Sequence, residues 1–536
     1  MKKFTLLLSF WIGGLLTAQL TYIPDTNFEN FLETHDAAGN TVAVGDANSL
    51  GNGIANDHYV ETARISAVTN LDVSGLNIAS LTGIEDFSAL TRLYCNQNQL
   101  TDLNLSQNTA LVYLNCMENQ LTALDITQNT ALKWLYCHNN LIATTIDLTN
   151  NTALERIDVS NNQLTSLDVS HNTALDQIDC HQNQLTSLDT SGNPSLHRIY
   201  CRENQISNLN LTNNTSLEYL DCSENQISSL DLSQNTALAY IKCYNNSLTA
   251  LDVSQNPALL RIECYNNAIP ALDVSQQTGL IYFNCNNNQL STLDISQNTA
   301  LRWLYCSNNQ LTVLDVIQNT ALEELGCLSN QLTNLDVTQN TALLVLNCAE
   351  NQLTGLDVSQ NTGLLELYCY GNQLGDLNLT QNTALQTLNC ADDQLTSLDL
   401  RNGNNTAIAN FNAINNPGLT CIFVDDPAYS AAHWSLIDPA SHFVATQSEC
   451  DALNIEENKW VESPEFYPNP ADQTLKISYN GIRNVKINIL NTLGSIIYQS
   501  ETLPEQIDTE QIPAGLYFIQ FQGPYQTVTE KLIITH

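Results

Sequence analysis

The chain has 536 residues, and 43% of them are hydrophobic, which is enough apolar material for a folded core. Only 13% are charged, and 55 acidic residues against 17 basic ones give a formal net charge of −38. This excess repels phosphate groups, so nucleic acid and anionic membrane surfaces are excluded as expected partners. Sixteen cysteines spread over so long a chain do not resemble the dense framework of a small disulfide-rich domain.

The N-terminus has the layout of a secretory signal peptide. Lys2 and Lys3 precede an apolar run over residues 4–16, and small residues follow before Gln19. The run is too short to cross a bilayer, and no later stretch reaches about 18 apolar residues. We therefore predict a signal peptide over residues 1–18 and no transmembrane segment.

Residues 19–65 are predicted to form an N-terminal cap. Phe28, Phe31 and Leu32 follow helical spacing, with Asp25 or Thr26 as the N-cap residue. The loop over residues 46–57 is rich in Asn, Asp and Gly, which leaves calcium binding open as an alternative. Leu50 occupies a position where such a loop needs an oxygen ligand, so plain turns are favoured.

An internal repeat dominates the chain. Cysteines recur every 21 residues over 95–137 and over 180–390. The 43-residue gap between these runs hides one more repeat, with Val159 in place of Cys and one inserted residue near 142–146. No single repeat can bury its own apolar side, so the copies must stack into a solenoid.

Residues 301–320 are a clean copy of the repeat. Leu304 and Cys306 are predicted to point inward from a short strand, and Trp303, Tyr305 and Ser307 outward. Asn309 then turns the chain, and its side-chain amide can satisfy backbone groups that the turn leaves unpaired. The equivalent residues form a predicted ladder that ends with Asp393: Asn98, Asn119, Asn140, Asn162, Asn183, Asn204, Asn225, Asn246, Asn267, Asn288, Asn309, Asn330, Asn351 and Asn372.

The repeat resembles the leucine-rich repeat family in the short form seen in bacterial surface proteins. The resemblance covers residues 68–425, with Cys where the family usually has Leu at the sixth position. It implies a predominantly β protein: a solenoid of about 17 short parallel strands with little helix, which we bound at residues 66–425. Neighbouring Cys side chains would be too far apart for relaxed disulfides, so the row is read as buried free thiols.

Beyond the solenoid, residues 426–450 are predicted to form a C-terminal cap and residues 451–464 an acidic linker. Cys421 and Cys450 are the two cysteines outside the 21-residue ladder. In an exported protein they are natural disulfide partners, and two free thiols are the alternative.

Residues 465–536 contain short alternating β-type runs separated by Asn-Pro, Asn-Gly and Ala-Gly turns, which favours a small antiparallel β-sandwich. The segment resembles the C-terminal sorting domain of type IX secretion cargo in Bacteroidota. By that resemblance it contacts the type IX secretion machinery and directs export from the periplasm across the outer membrane, and an ordinary binding domain is the alternative.

The outward side of the strands, here called the strand face, is where we predict ligand binding, on a surface that the family resemblance implies is concave. All twelve Tyr and both Trp between residues 66 and 400 fall at outward strand positions, and all eight Lys and Arg lie in or beside them. Tyr, Trp and Arg dominate binding hot spots. The predicted ligand-binding residues are Arg198, Tyr200, Arg202, Tyr219, Tyr240, Lys242, Tyr244, Arg261, Tyr265, Trp134, Trp303 and Tyr305.

Two other groups of polar residues are read as structural. A row of Asp residues follows the opposite edge, for example Asp252 and Asp294. Weak calcium binding is the open alternative to hydrogen bonds within each turn. Tyr136, His138, Asp158, Ser160, Asp179 and His181 share neighbouring outward rows and could form a hydrolytic or metal site. The strand face is open, however, and no HExxH or GxSxG motif occurs.

We therefore predict a secreted or cell-surface binding protein without cofactor, metal site or enzymatic activity, whose partner is an extracellular protein. Adhesion to a glycan, or a structural role in a surface layer or matrix, are the alternatives. The mixed charge around Asp221 and Glu263 suits a protein or a decorated glycan better than a polyanion.

Overall fold

The computed structural model describes residues 18–456, 465–478, 485–523 and 527–536. The predicted signal peptide, apart from Ala18, lies outside these residues. The chain divides into two compact units. The first runs to Ser397 and includes residues 402–418 and 434–438, and the second consists of residues 398–401, 419–433 and 439–536.

The predicted parallel solenoid is confirmed. In the described part of the chain, seventeen three-residue strands form one parallel sheet in chain order, each in register with the strand one repeat away. In the strand Trp303–Tyr305, Leu304 is buried and the two aromatic residues are half-buried. The strands are Asn70–Asp72, Arg92–Tyr94, Tyr113–Asn115, Trp134–Tyr136, Arg156–Asp158, Gln177–Asp179, Arg198–Tyr200, Tyr219–Asp221, Tyr240–Lys242, Arg261–Glu263, Tyr282–Asn284, Trp303–Tyr305, Glu324–Gly326, Val345–Asn347, Glu366–Tyr368, Thr387–Asn389 and Asn410–Asn412.

A second row of short strands follows some of the turns. Ser187–Asp189 pairs in parallel with Asn208–Asn210, and Asp376–Asn378 occupies the same place in its repeat. The sequence suggested that the outward residue after each strand faces solvent, but this is not always so. Ser307 is buried, and its N–H donates to Asn286 Oδ1, 2.6 Å away on the preceding rung.

The predicted asparagine ladder is present in the structure. Asn309 Nδ2 donates to the carbonyls of Cys285 and Cys306, both at 3.1 Å, and its Oδ1 accepts the Leu290 N–H at 3.0 Å. We expected the ladder to end at Asp393, but it continues. Asn416 adds a further rung, since its Nδ2 donates to the Cys390 carbonyl at 2.9 Å.

A second ladder of buried amides was not anticipated from the sequence. Asn319 Nδ2 donates to the carbonyls of Ile295 and Asn298, both at 2.9 Å, and thereby joins its repeat to the one before it. All members are fully buried. They are Asn108, Asn129, Asn151, Asn172, Asn193, Asn214, Asn235, Asn256, Gln277, Asn298, Asn319, Asn340, Asn361 and Asn382.

The N-terminal cap contains the predicted helix, Thr26–Thr34, with Asp25 as its N-cap residue. Asp25 Oδ1 accepts the N–H groups of Asn27 and Phe28, and Phe28 stacks on Phe87 of the first repeat at a centroid distance of 6.2 Å. The remaining elements of the cap are an antiparallel pair, Leu20–Tyr22 with Tyr59–Glu61, and a short helix, Thr62–Ile65, while the 3₁₀ turn Ile84–Asp86 lies in the first repeat.

Two buried carboxylates of this helix organise the loop over residues 46–57. Glu33 accepts the N–H groups of Asn52 and Gly53, and Glu29 accepts that of Asp57 at 2.8 Å. Gly51 allows this contact because a Cβ there would lie 2.0 Å from the Glu33 carboxyl carbon. The N–H groups of the loop are therefore held by the carboxylates of Glu29 and Glu33.

At the C-terminal end of the first unit, Trp434 stacks on Phe411 at 4.4 Å, and its Nε1 donates to the Ile408 carbonyl. The 3₁₀ turn Asn405–Ala407 precedes the last strand of the sheet. Apart from Ser397, the parallel strands Ser397–Asp399, Cys421–Phe423 and His442–Val444 belong to the second unit, which also includes the helix Pro427–His433.

A disulfide joins Cys421 to Cys450, whose Cα atoms are 5.8 Å apart. Cys450 lies in the helix Gln447–Glu456, which extends into the segment that we predicted as linker. Residues 457–464, the rest of that predicted linker, lie outside the described residues.

The C-terminal domain is built from two antiparallel sheets, in agreement with the predicted fold class. One sheet contains Glu465–Tyr467, Thr474–Ser478 and Gln506–Asp508. The other contains Lys486–Asn491, Ile496–Ser500, Gly515–Gln522 and Thr527–Ile534. Their shared core includes Leu475, Ile487, Ile489, Ile519 and Phe521.

The fourteen ladder cysteines are free and buried, and we expect them to be chemically silent in the folded chain. Burial raises the pKa of Cys306 to about 12, so only about one thiol in 10⁴ is ionised at pH 8. Titration with Ellman's reagent should find essentially no thiol in the native protein, fourteen in denaturant, and all sixteen after prior reduction. Several reactive thiols in the native protein would contradict this.

Candidate functional site

The centre of the strand face carries two groups of tyrosines. The rings of Tyr200, Tyr219 and Tyr240 follow one another on adjacent rungs, with centroid distances of 4.9 and 6.0 Å. Tyr244 and Tyr265 form a parallel stack at 4.3 Å. Desolvation by burial raises the pKa of Tyr200 and of Tyr219, so both phenols stay neutral hydrogen-bond donors at physiological pH.

The predicted basic residues of this centre differ in how far they are neutralised. Arg202 pairs with Glu203 at 2.6 Å, and Lys242 Nζ lies 3.7 Å from Glu263. Arg198 is exposed, and no carboxylate of the described residues lies within 4 Å of its guanidinium. Arg198 is therefore the uncompensated positive charge at the centre of the face.

Arg261, Trp303 and Tyr305 belong to a separate cluster that includes Tyr282. Arg261 stacks on the Tyr282 ring at 3.9 Å and donates to Glu263 at 2.7 Å. Tyr282 contacts both Trp303 and Tyr305, with centroid distances of 6.4 and 5.7 Å. Tyr305 donates to Glu324 and lies over Gly326, where a Cβ would come within 3.2 Å of its ring.

Trp134 lies in a third cluster, nearer the N-terminus. Tyr113 contacts Tyr94 at 4.7 Å, Tyr136 at 5.5 Å and Trp134 at 6.4 Å. The predicted site therefore divides into four aromatic groups, two of them at the centre of the strand face. Tyr94, Tyr113 and Tyr282 were missing from the predicted site residues, although their outward strand positions were visible in the sequence.

Acidic residues between these clusters are satisfied within the protein. Asp221 is buried and accepts the Ser223 N–H and hydroxyl, the latter at 2.6 Å. Glu263 is buried between Lys242 and Arg261. The negative charge of Glu263 is thus balanced by its basic neighbours, and Asp221 is hydrogen-bonded beneath the surface.

The Asp row on the opposite edge forms hydrogen bonds within its own turns. Asp252 Oδ1 accepts the Ser254 N–H at 2.9 Å, and Asp294 accepts that of Ser296 at the same distance. These bonds lower the pKa of both exposed carboxyls. The same contact occurs at Asp125, Asp147, Asp168, Asp189, Asp231, Asp273, Asp315, Asp336, Asp357 and Asp399.

The cluster that resembled a catalytic site forms local pairs instead. His138 Nδ1 lies 2.9 Å from Asp158, His181 Nδ1 lies 2.5 Å from Asp179, and Ser160 donates to Asp158 at 2.6 Å. The hydrogen bond to Asp158 raises the pKa of His138. Within the described ranges, no three His, Cys, Asp or Glu side chains are arranged to hold a metal ion.

Comparisons with known proteins identify both parts of the chain. The model of the secretion system C-terminal sorting domain matches residues 465–535. Internalin J of Listeria monocytogenes is 42% identical over 50 residues, which are 9% of this chain and 6% of Internalin J. An endo-acting ulvan lyase of Formosa agariphila is 28% identical over 109 residues, 20% of this chain and 21% of the lyase. The matches therefore span small parts of these relatives.

Solved structures resemble much more of the chain. The functional domain of InlJ from Listeria monocytogenes, which includes a cysteine ladder, is 27% identical with a TM-score of 0.60, over 97% of this chain and 100% of that one. YopM from Yersinia enterocolitica is 25% identical with a TM-score of 0.53, over 70% of this chain and 77% of YopM. No helix of the described residues is both long and apolar enough to cross a membrane. The chain is a leucine-rich repeat solenoid of about 21 residues per turn that carries a type IX sorting domain at residues 465–535.

Proposed function

We propose that this is an exported binding protein that recognises an extracellular protein through the centre of its strand face. The observation that carries the proposal is the run of Tyr200, Tyr219 and Tyr240 beside the uncompensated Arg198. Aromatic rings with few rotatable bonds offer contact area at low entropic cost, and exposed guanidinium groups donate directed hydrogen bonds. The sorting domain supports delivery to the cell surface or the medium.

The geometry favours binding over catalysis. His138 and His181 each pair with an Asp, and the hydroxyl of Ser160 donates to Asp158 and not to a histidine that could act as its base. The tyrosines are packed ring against ring, which fixes their positions before a partner arrives and reduces the entropy lost on binding.

The test is capture on an array of extracellular proteins and glycans by the full chain. A variant with Tyr200, Arg202, Tyr240 and Tyr244 replaced by Ala should lose about 100-fold or more in affinity, since hot-spot side chains each contribute about 2 kcal/mol. A second variant with Tyr368 and Tyr370 replaced by Ala removes aromatic area from a distant part of the same face and should bind normally.

Each outcome of the array assigns the function differently. Protein capture by the parent and the Tyr368/Tyr370 variant alone supports the proposal. Capture of glycans only would replace it with an adhesin, and no capture by any form would favour a structural role in a surface layer.

A further inference from the structure

The strand face contains the same three-rung arrangement twice. At each copy an exposed Arg is followed two residues later by Tyr, and a second Tyr lies directly beside the Arg on the next rung. The first copy is Arg92, Tyr94 and Tyr113, and the second is Arg198, Tyr200 and Tyr219. The paired rings have nearly the same geometry, 4.7 Å with a 35° tilt in one copy and 4.9 Å with a 36° tilt in the other.

The rung before each copy is also equivalent. Asn70 and Gln177 place an amide beside the Arg, and Asp72 and Asp179 place a carboxylate beside the first Tyr. Neither carboxylate approaches the Arg within ion-pair distance. Asp72 accepts the Ser74 hydroxyl at 2.5 Å, and Asp179 accepts His181 Nδ1 at 2.5 Å.

The arginines of the two copies differ from the other basic residues of the face. Six of the eight basic side chains pair with a carboxylate of the described residues, and Arg92 and Arg198 do not. Arg156 and Arg261 occupy the same first strand position as Arg92 and Arg198. Arg156 and Arg261 precede Asp158 and Glu263, and both are neutralised, by Asp176 at 3.6 Å and by Glu263 at 2.7 Å.

We propose that Arg92–Tyr94–Tyr113 and Arg198–Tyr200–Tyr219 are two equivalent subsites, each of which binds a carboxylate of an acidic segment of the protein partner. The guanidinium offers a bidentate pair of donors to the carboxylate, and the hydroxyls of the two neighbouring tyrosines add further donors to the same subsite. Five register steps separate the subsites, which at about 4.8 Å per strand gives about 24 Å. An extended segment spans that distance with about seven residues. This inference rests on the proposed function and specifies the chemistry of its partner.

The test uses immobilised peptides with two Glu-Glu pairs separated by three, seven or eleven Gly/Ser residues, and the full chain in solution. The seven-residue spacer should bind most tightly, because it alone lets both pairs reach their subsites without strain or slack. Arg92→Gln and Arg198→Gln should each weaken binding about 10-fold or more, and the double variant should reduce it to background. Arg156→Gln removes a charge that is already paired on the same face, and it should retain binding within about 2-fold.

Three results would overturn the proposal: no peptide binding, no dependence on spacer length, or an equal effect of Arg156→Gln. Binding of polygalacturonate but not of the peptides would assign the subsites to an acidic polysaccharide instead. The array separates this failure from that of the proposed function. If a captured protein is held equally well by the Arg92/Arg198 double variant, the subsites are wrong while the strand face remains the binding surface.

Discussion

Replacing Asp393 with Asn is expected to raise the free energy of unfolding, and this gain should be roughly 4 kcal/mol larger above pH 7 than at pH 3.5. Asp393 is fully buried at a ladder position where the other repeats carry Asn. Asn372 shows what the position requires, since its Nδ2 donates to the carbonyls of Cys348 and Cys369. An ionised carboxylate has no proton to donate there, whereas the neutral acid and the amide both do.

The direction of the pH dependence follows from the pKa of this group. Burial, reinforced by the nearby Asp392 charge, raises the pKa of Asp393 from 3.8 to about 7, although hydrogen bonds from Asn372 and Cys369 oppose the rise. The folded state therefore holds a proton that the unfolded state releases near pH 4. The stability linked to Asp393 is complete below that pH and is lost as the pH rises to about 7. Three pKa units correspond to roughly 4 kcal/mol.

Urea unfolding followed by circular dichroism gives the free energy of unfolding of both proteins at several pH values between 3.5 and 8.5. Subtracting one from the other removes the contribution of the other acidic residues. Asp102→Asn is the control, because Asp102 is an exposed carboxylate many rungs away from the buried residue. A constant difference between native chain and Asp393→Asn across this range would show that Asp393 does not titrate on folding.

Replacing Asn309 with Ala should destabilise the solenoid by about 3 kcal/mol or more. The change leaves the buried Leu290 N–H without its acceptor and removes one of the two amide donors from each of the Cys285 and Cys306 carbonyls. An unsatisfied buried N–H costs about 1–3 kcal/mol, and each hydrogen bond lost from a carbonyl that keeps another donor adds about 1 kcal/mol. The midpoint of urea unfolding should fall accordingly.

The adjacent residue provides the control for this experiment. Asn308 is exposed and has a φ of 54°, a left-handed conformation that Gly adopts without strain. Asn308→Gly should therefore leave the midpoint nearly unchanged or raise it slightly. If both variants unfolded at the same urea concentration, the ladder would have no special share in the stability of the stack.

The regular parts of the fold were predictable because the same residue pattern recurs in many copies along the chain. The 21-residue spacing was enough to predict a stacked solenoid with Leu304 and Cys306 inside and an amide ladder at Asn309, and the family resemblance implied the parallel strands. The rung at Asn416 was missed because it lies 23 residues after Asp393, outside the period. The buried row that includes Asn319 was missed because its spacing is as regular as that of the surface Asp row, and periodicity alone does not separate buried from exposed positions.

The proposed binding surface was predicted as a set of residue types and not as pairs of contacts. Composition placed Tyr and Arg on the strand face, but the partners of Arg156 and Lys242 lie about twenty residues away, one rung along the stack. Register had to be known before Arg92 and Arg198 could be recognised as the basic residues of the strand face that no carboxylate of the described residues neutralises.

The repeat with the inserted residue shows how the two amide rows act on chain length. Asn162 still donates to the Cys137 carbonyl at 3.1 Å, and Asn151 still donates to the carbonyls of Ile126 and Asn129, although every separation is one residue longer than elsewhere. The extra residue lies between the buried Ile142 and Ile146, and the flanking strands Trp134–Tyr136 and Arg156–Asp158 remain in register. The two rows of amides hold the rungs in register, and the segment between Ile142 and Ile146 accommodates the inserted residue. The insertion at that edge therefore leaves the pairing of the strand face unchanged, while the far side of the stack accommodates the added residue.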